Sequence, residues 1–424
     1  MPHDQPARSA GERQPLHDRP PLGGVRVIEA TIAGPGGLCT HLADLGADVI
    51  KVEPFTGDYV RQMTWPIIEG TSLMHLHLNR GKRSIALDLR TPEGAQVFKD
   101  LVASADAVVE GMRPGALERR GLGFEQLAQV NPRIVFCAVS GYGMTGPYRS
   151  MPSHGIAYDT WAGIVTPEVD DDGFTYVPEH VSIGIYATPI LGALSVLAGV
   201  TRARETGTGC VIDLAQSDGA AFFDWYRSET WLAYGRPDDE VTGNQADNFE
   251  RRSPGTAGMR EGVRYQVYET ADGHVLFMAS EQAFWKNFCQ ALDRMDLFER
   301  WPGSQYADHA KGNRELQAEL REIFRTRTSA EWLTWSDEVN TPIAPVNTPR
   351  NIVDDPQFRD RFTILPHAEH GADMLSFPAR FADEQLPPPR RAPTVGEHEA
   401  EILADLGYDA ERIAGLRAAG ALPD

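Results

Sequence analysis

The apolar positions in the first third of the chain fall into short runs separated by helical stripes. Residues 24–30 (GVRVIEA), 47–53 (ADVIKVE), 83–89 (RSIALDL), 106–110 (DAVVE) and 133–141 (RIVFCAVSG) have the length and β-branched content of buried strands. Between the first two, GGLCTHLADLG sets Leu38, Leu42 and Leu45 on one helical face, with Gly46 as the stop. TPEGAQVFKDLVASA predicts a helix with Thr91 as N-cap and Pro92 at its first position. Helical segments near 115–121 and 124–130 separate the later strands. Strand and helix alternate, the pattern of a parallel sheet covered on both faces.

Beyond Gly141 the pattern changes. A loop, GYGMTGPYRSMPSHG, leads into a helix starting near Ile156, followed by the acidic turn EVDDDG. The stretch SIGIYATPILGALSVLAGVT, residues 182–201, carries no charged side chain and is long enough to span a bilayer. Pro189, Thr188, Ser182, Ser195 and three glycines interrupt it, and no basic cluster flanks it tightly, so a buried core helix is expected. That helix ends near Arg204; a glycine-rich turn, a strand at 210–214 and a helix from Ser217 follow. Residues 233–335 form a mixed region, with a hairpin turning at Asp272–Gly273 in VRYQVYETADGHVLFMAS and then Arg- and Glu-rich helices. LPPPRRAPTVG is a Pro-rich crossing segment near the C-terminus.

Composition narrows the function classes. A chain of 424 residues accommodates two or three domains. A formal net charge of −20 argues against nucleic-acid binding and against an anionic membrane surface, while leaving room for one local basic pocket. Cys39, Cys137, Cys210 and Cys289 show no C-x-x-C spacing, which points to a reducing cytoplasm without structural disulfides or a zinc site. The polar, Pro-rich residues 1–21 lack an apolar core segment and read as a disordered tail rather than a signal peptide.

Several short patterns carry candidate chemistry. AGPGG (33–37), between the first strand and helix, would let backbone N–H groups approach an anion, although it is also an ordinary tight turn. Arg80, Lys82, Arg83, Arg113, Arg119 and Arg120 cluster in two loops that suit phosphates or simple surface solvation. His154, in a Gly/Ser/Pro loop, is of the type that transfers protons near neutral pH; a lone histidine is more often structural. Glu281, after an apolar strand, reads by itself as a charge at a helix N-terminus. H-E-x-x-H, G-x-S-x-G and P-loop motifs are missing from the sequence.

Together these pieces resemble the class III CoA-transferase family, which includes formyl-CoA transferase, carnitine-CoA transferase and α-methylacyl-CoA racemase. The matching segments include LGGVRVIEATIAGPGG, HLADLGADVIKVEPFTGDYVR, NRGKRSIALDLRTPEG, EGMRPGALERRGLGFEQLAQVNPRIVFCAVSGYGMTGPY, RARETGTGCVIDLAQSDGAAF and TPIAPVNTPRNIVDDPQF. They run in the family's order from about Leu22 to Tyr408. The resemblance implies an α/β fold: a Rossmann-like large domain from both chain ends (22–232 and 336–424), a smaller inserted α+β domain (233–335), and an interlocked homodimer. It implies acyl-CoA and a carboxylic acid as substrates and no prosthetic group. For CoA it implies Arg119 at the phosphates, Lys82 and Arg83 near the nucleotide, and backbone at Ala33, Gly34 and Pro35 facing the adenosine. Gly141, which opens the loop SGYGMTG, joins that binding set.

The resemblance also exposes a departure. The family's transferases place a nucleophilic aspartate after a glycine at the start of the uncharged stretch, which here falls on Gly184–Ile185. Isoleucine neither attacks a thioester nor holds a proton. Glu179 is a candidate substitute nucleophile or base. The family's racemases use a His/Glu pair that matches His154 and Glu281, with Asp159 as a possible orienting partner for His154. Three functions stay open: CoA transfer between carboxylic acids, racemisation or isomerisation by α-proton abstraction, and binding of CoA esters without turnover.

Overall fold

In the computed structural model the described residues are 20–243, 249–251, 259–304, 309–381 and 386–424. The tail expected over 1–21 lies outside them except for Pro20 and Pro21. The chain divides into two compact units, Met1–Trp225 with Asp360–Asp424, and Tyr226–Arg359.

The first unit is built on six strands: β1 (Arg26–Ala30), β2 (Asp48–Glu53), β3 (Lys82–Ala86), β4 (Ala107–Glu110), β5 (Val135–Ser140) and β6 (Cys210–Ala215). All pair in parallel, in the order β6-β5-β4-β1-β2-β3. Alternate strand residues feed opposite cores. Ile28, Ile50, Val108, Phe136 and Ala138 enter one apolar cluster, and Val27, Val49, Val109, Cys137 and Val139 enter the other. Along β1, β2, β4 and β5 both faces are therefore buried, which explains why these strands read as continuous apolar runs, whereas the edge strand β6 exposes Val211 and Asp213.

The second cluster is closed by α1 (Gly37–Asp44) and the long helix of the uncharged stretch. The helix α2 (Pro92–Ala103) packs into the first cluster and is capped by Thr91, whose hydroxyl accepts the Gly94 N–H at 3.0 Å. Further on come α3 (Phe124–Val130) and α4 (Ile156–Trp161). The uncharged stretch splits into a single turn, α5 (Ile183–Tyr186), and α6 (Thr188–Thr206). The segment Ile183–Thr206 is long and apolar enough to cross a membrane, yet α6 turns Gly192, Ala193, Val196, Gly199, Val200 and Ala203 onto α1 and β5. At Gly192 any side chain would run into Leu38, so glycine permits the close approach of α6 to α1. After β6 the chain enters α7 (Gln216–Phe223).

The second unit holds an antiparallel sheet of β7 (Tyr265–Glu269), β8 (His274–Met278) and β9 (Ile343–Pro345). The β7–β8 hairpin turns at Asp272–Gly273, as its sequence predicts. The helices α8 (Gln282–Ala291), α9 (Arg314–Phe324) and α10 (Ser329–Val339) pack around Phe277, Trp285, Phe288, Phe324 and Trp332. This unit, Tyr226–Arg359, is wider than the 233–335 read from the sequence pattern and the resemblance. The third strand, β9, bonds back to β8 and so carries the unit past residue 335.

Candidate active site

The order of the main sheet locates a crevice. The chain winds from β1 outward through β2 and β3, then returns to the other side of β1 for β4, β5 and β6. Loops leaving the C-terminal ends of β1 and β4 therefore diverge, and such a switch point is where open α/β sheets bind ligands. The β1 loop is a tight 3-10 turn, Gly34–Gly36. The β4 loop passes close to it: a Cβ on Gly111 would lie 3.1 Å from Pro35 and 3.2 Å from Thr31.

A buried ionic network holds the β1 turn. Glu29 is wholly buried, with Lys51 Nζ at 2.9 Å and Lys82 Nζ at 2.7 Å. Burial alone would raise this carboxyl, but the two ammonium groups bring it down to about 2. Each lysine then reaches the turn: Lys51 Nζ donates to Thr31 O at 3.0 Å and Lys82 Nζ to Gly36 O at 2.9 Å. Asp58, 3.2 Å from Lys51, accepts the Ala33 N–H at 3.0 Å. Ala33 has φ 56°, a conformation that costs a non-glycine residue about 1–3 kcal/mol and is held by these contacts.

Lys82 and Arg83 thus differ from the role the resemblance implies. The Lys82 ammonium is fully buried and bonded to Glu29, Gly36 O and Asn79 Oδ1. It props the turn from beneath and has no face toward a phosphate. Arg83 lies at the opposite, N-terminal end of the sheet, bonded to Asp48 at 2.7 and 3.0 Å, to Glu401 at 3.1 Å and to Asp405 at 2.9 Å. Arg119 is different: it is exposed, its guanidinium making one long contact to Pro114 O at 3.5 Å. It follows β4 on the loop that passes Pro35, so its charge stays available to an anion.

The start of the uncharged stretch packs against the β1 turn. Ile185 is half-buried, its methyl carbons 3.1 Å from where a Cβ on Gly34 would sit and 3.0 Å from one on Gly155. Both glycines leave room for this side chain. Gln216, at the start of α7, turns a buried amide oxygen with no hydrogen-bond partner among the described residues toward the same turn, 3.5 Å from the Gly34 Cβ position. Gly141 lies against Ser153 and Tyr158, and a side chain there would strike both.

Asp159 occupies the centre. It is wholly buried; Oδ1 accepts the Gly184 N–H at 2.8 Å and Oδ2 faces His180 Nε2 at 3.3 Å. The other ring nitrogen of His180 lies 3.1 Å from Pro178 O. Asp159 therefore does not orient His154. The helix α4 turns residue 159 inward, whereas His154 precedes the helix and is exposed, with no side-chain polar partner among the described residues. His180 escaped sequence reasoning because its partner is 21 positions away.

The remaining candidates are spread out. Glu179 is exposed, on the outward side of a segment whose burial alternates residue by residue from Val177 to Ser182. Glu281 is the exposed N-cap of α8 in the second unit, without a side-chain capping bond. In the first unit Glu110 ends β4 beside the crevice, buried with the Met112 N–H as its one hydrogen-bond partner among the described residues, and burial pushes its carboxyl up to about 7.

Comparison with known proteins decides the family, because the CoA-transferase family III model matches residues 22–399. The chain belongs to CoA-transferase family III. It is similar to the succinyl-CoA:mesaconate CoA-transferase of Haloarcula marismortui, 32% identical over 92% of this chain and 97% of that one. The succinate–glutarate CoA-transferase of Agrobacterium fabrum is 31% identical over 92% of this chain and 96% of its own. Among solved structures, a CAIB/BAIF family protein from Brucella suis superposes with a TM-score of 0.73 at 28% identity, covering 91% of this chain and 99% of that chain. As a member of CoA-transferase family III the chain is a transferase-family enzyme whose family substrates are CoA thioesters.

Proposed function

We propose that this protein transfers CoA between carboxylic acids, holding the thioester over the β1 turn with Ile185 at the place of the usual nucleophile. The observation that carries the reading is end-to-end similarity to transferases named for short dicarboxylic acids. Three local features support it. The crevice lies at the switch point of the sheet, Arg119 is free to meet CoA phosphates, and the buried Gln216 oxygen lacks a donor that a bound substrate would supply. The test is to incubate the protein with succinyl-CoA and a panel of mono- and dicarboxylates and to follow new thioesters by mass spectrometry. Succinyl-CoA that stays unchanged with every acceptor argues for one of the other two activities.

A second reading rests on His154, whose ring is unpartnered among the described residues and one position from Gly155 at the Ile185 contact. It would abstract an α-proton, as the racemase resemblance implies. Deuterium from solvent would then enter the α-carbon of an acyl-CoA, and His154→Ala would stop the exchange. A protein that only binds CoA esters would show tight binding and neither reaction. A cytoplasmic homodimer, interlocked as in the resemblance, is part of the reading. Its support is the exposed apolar stripe of Tyr186, Ile190 and Leu194 and four free cysteines. Light scattering of the purified protein tests the dimer.

A further inference from the structure

The Pro-rich crossing segment near the C-terminus is tied to the supports of the β1 turn. The Pro393 carbonyl accepts a hydrogen bond from Arg61 Nη2 at 3.1 Å, across 332 positions of sequence. The same guanidinium grips Glu53, at the end of β2, with both arms: Nη1 to Oε2 and Nη2 to Oε1, each at 3.0 Å. Three residues beyond Pro393 the Gly396 N–H donates to Ser84 Oγ at 2.9 Å. Ser84 Oγ donates in turn to Glu53 Oε1 at 2.6 Å. Between these two ties Val395 packs on Gly57, where a Cβ would lie 2.5 Å from a methyl carbon of the valine. The buried Glu53 carboxylate thus gathers both bonds of the crossing segment.

Glu53 passes the grip on to the β1 turn. Its Oε2 also accepts the Asp58 N–H at 3.1 Å. Asp58 caps the short turn Tyr59–Gln62 that carries Arg61, accepting the Val60 N–H at 3.0 Å on one oxygen. Its other oxygen holds the Ala33 N–H at 3.0 Å. Asp58 and Arg61 therefore share one small rigid turn, and Glu53 binds both. When Arg61 loosens, Asp58 shifts, and Ala33 loses the bond that holds its φ of 56°. We propose that the docked crossing segment sets the shape of the β1 turn through Arg61, so that docking of residues 390–396 and binding of a CoA ester over the turn favour one another. The proposal rests on the reading that the thioester lies over this turn. Arg61 acts through Glu53 and Asp58 and is a positioning residue. Such coupling is reciprocal: what the docked segment adds to ligand affinity, the ligand adds to docking.

Hydrogen exchange with and without CoA reads the coupling in the unaltered protein. The amides of Gly396 and His398 donate to Ser84 Oγ and Ser84 O, so they report docking of the segment. CoA is expected to slow exchange in the peptide that carries them by about threefold or more. Arg61→Met removes the bonds to Glu53 and to Pro393 O. That variant is expected to bind CoA about tenfold more weakly and to lose the CoA-dependent protection. Arg61→Lys keeps the charge but cannot hold both Glu53 oxygens and Pro393 O together, so it should regain stability without regaining the protection. CoA bound by the native protein with unchanged exchange over 390–398 overturns the proposal and leaves the CoA-transfer reading intact. A folded Arg61→Met variant with native CoA affinity and native protection overturns it as well. The native exchange and Arg61→Lys decide the matter where Arg61→Met does not fold. If the native protein binds neither CoA nor succinyl-CoA, the transfer reading itself fails and the coupling falls with it.

Discussion

The Asp159 carboxylate and the Gly184 N–H meet at 2.8 Å, and that bond sets the turn on which Ile185 stands. The turn α5 has no side-chain cap of its own, so a carboxylate 25 residues away serves instead. Asp159→Ala leaves a buried N–H without an acceptor and His180 without its partner. The expected loss is about 2–4 kcal/mol in denaturant unfolding. Asp159→Asn keeps an acceptor for Gly184 and is expected to lose less than half as much. Equal losses for the two variants would show that the bond to Gly184 is not what matters.

Ile185→Asp tests the slot directly. A carboxylate there stands between Gly34 and Gly155, next to the glycine that Asp159 holds. The expected outcome is a variant that acquires a covalent route. Incubation with acyl-CoA gives a hydroxylamine-sensitive adduct on the peptide containing residue 185, detected by mass spectrometry. Nearby negative charge makes the change destabilising by about 1–2 kcal/mol. No adduct in a variant that still binds CoA esters would place the thioester away from this turn.

Glu29 makes acid a probe of the β1 turn. Its carboxyl is held at about 2, below its ordinary 4.5, so folding favours the charged form. That contribution is complete above about pH 4.5 and is lost as pH falls toward 2, amounting to about 3 kcal/mol. Glu29→Gln should flatten the acid limb of the stability curve and lower stability at pH 7. Lys82→Met should do both, and should also raise the KM for the CoA ester, because Gly36 O loses its donor. Unchanged KM in a folded Lys82→Met variant would detach the network from substrate binding.

Most of the first unit was legible because its strands are buried on both faces and alternate with capped helices. Thr91, Pro92 and Gly46 mark boundaries that local chemistry dictates. Lys82 and Arg83 show where legibility ended. A cation written in a sequence looks the same whether it meets a ligand or a buried carboxylate. The available signal was Glu29, Lys51 and Glu53 inside apolar strand runs, since charges at such positions must pair with one another. The Asp159–His180–Gly184 cluster left no local trace, because it forms only when α4 and the start of the uncharged stretch meet in space. The reach of the second unit past residue 335 was hidden for a similar reason: β9 is only three residues long and gains its identity by pairing with β8.

Glu110 should give a pH dependence opposite in sign to that of Glu29. Its carboxyl is buried at the end of β4, raised by burial to about 7 from an ordinary 4.5, with the Met112 N–H opposing the shift. Folding therefore favours the protonated form. The contribution is fully present below about pH 4.5 and is lost as pH rises through about 7, at up to about 3 kcal/mol. Glu110→Gln removes the titration while keeping an acceptor for Met112. The variant should match the native protein near pH 5 and unfold at a higher denaturant concentration at pH 8. Because Glu110 borders the crevice, a bound CoA ester adds negative charge beside it and should push its titration still higher. The native protein should then take up protons on binding near pH 7, measurable as a buffer-dependent binding enthalpy that Glu110→Gln abolishes. A buffer-independent enthalpy in the native protein would show that the thioester binds away from the end of β4.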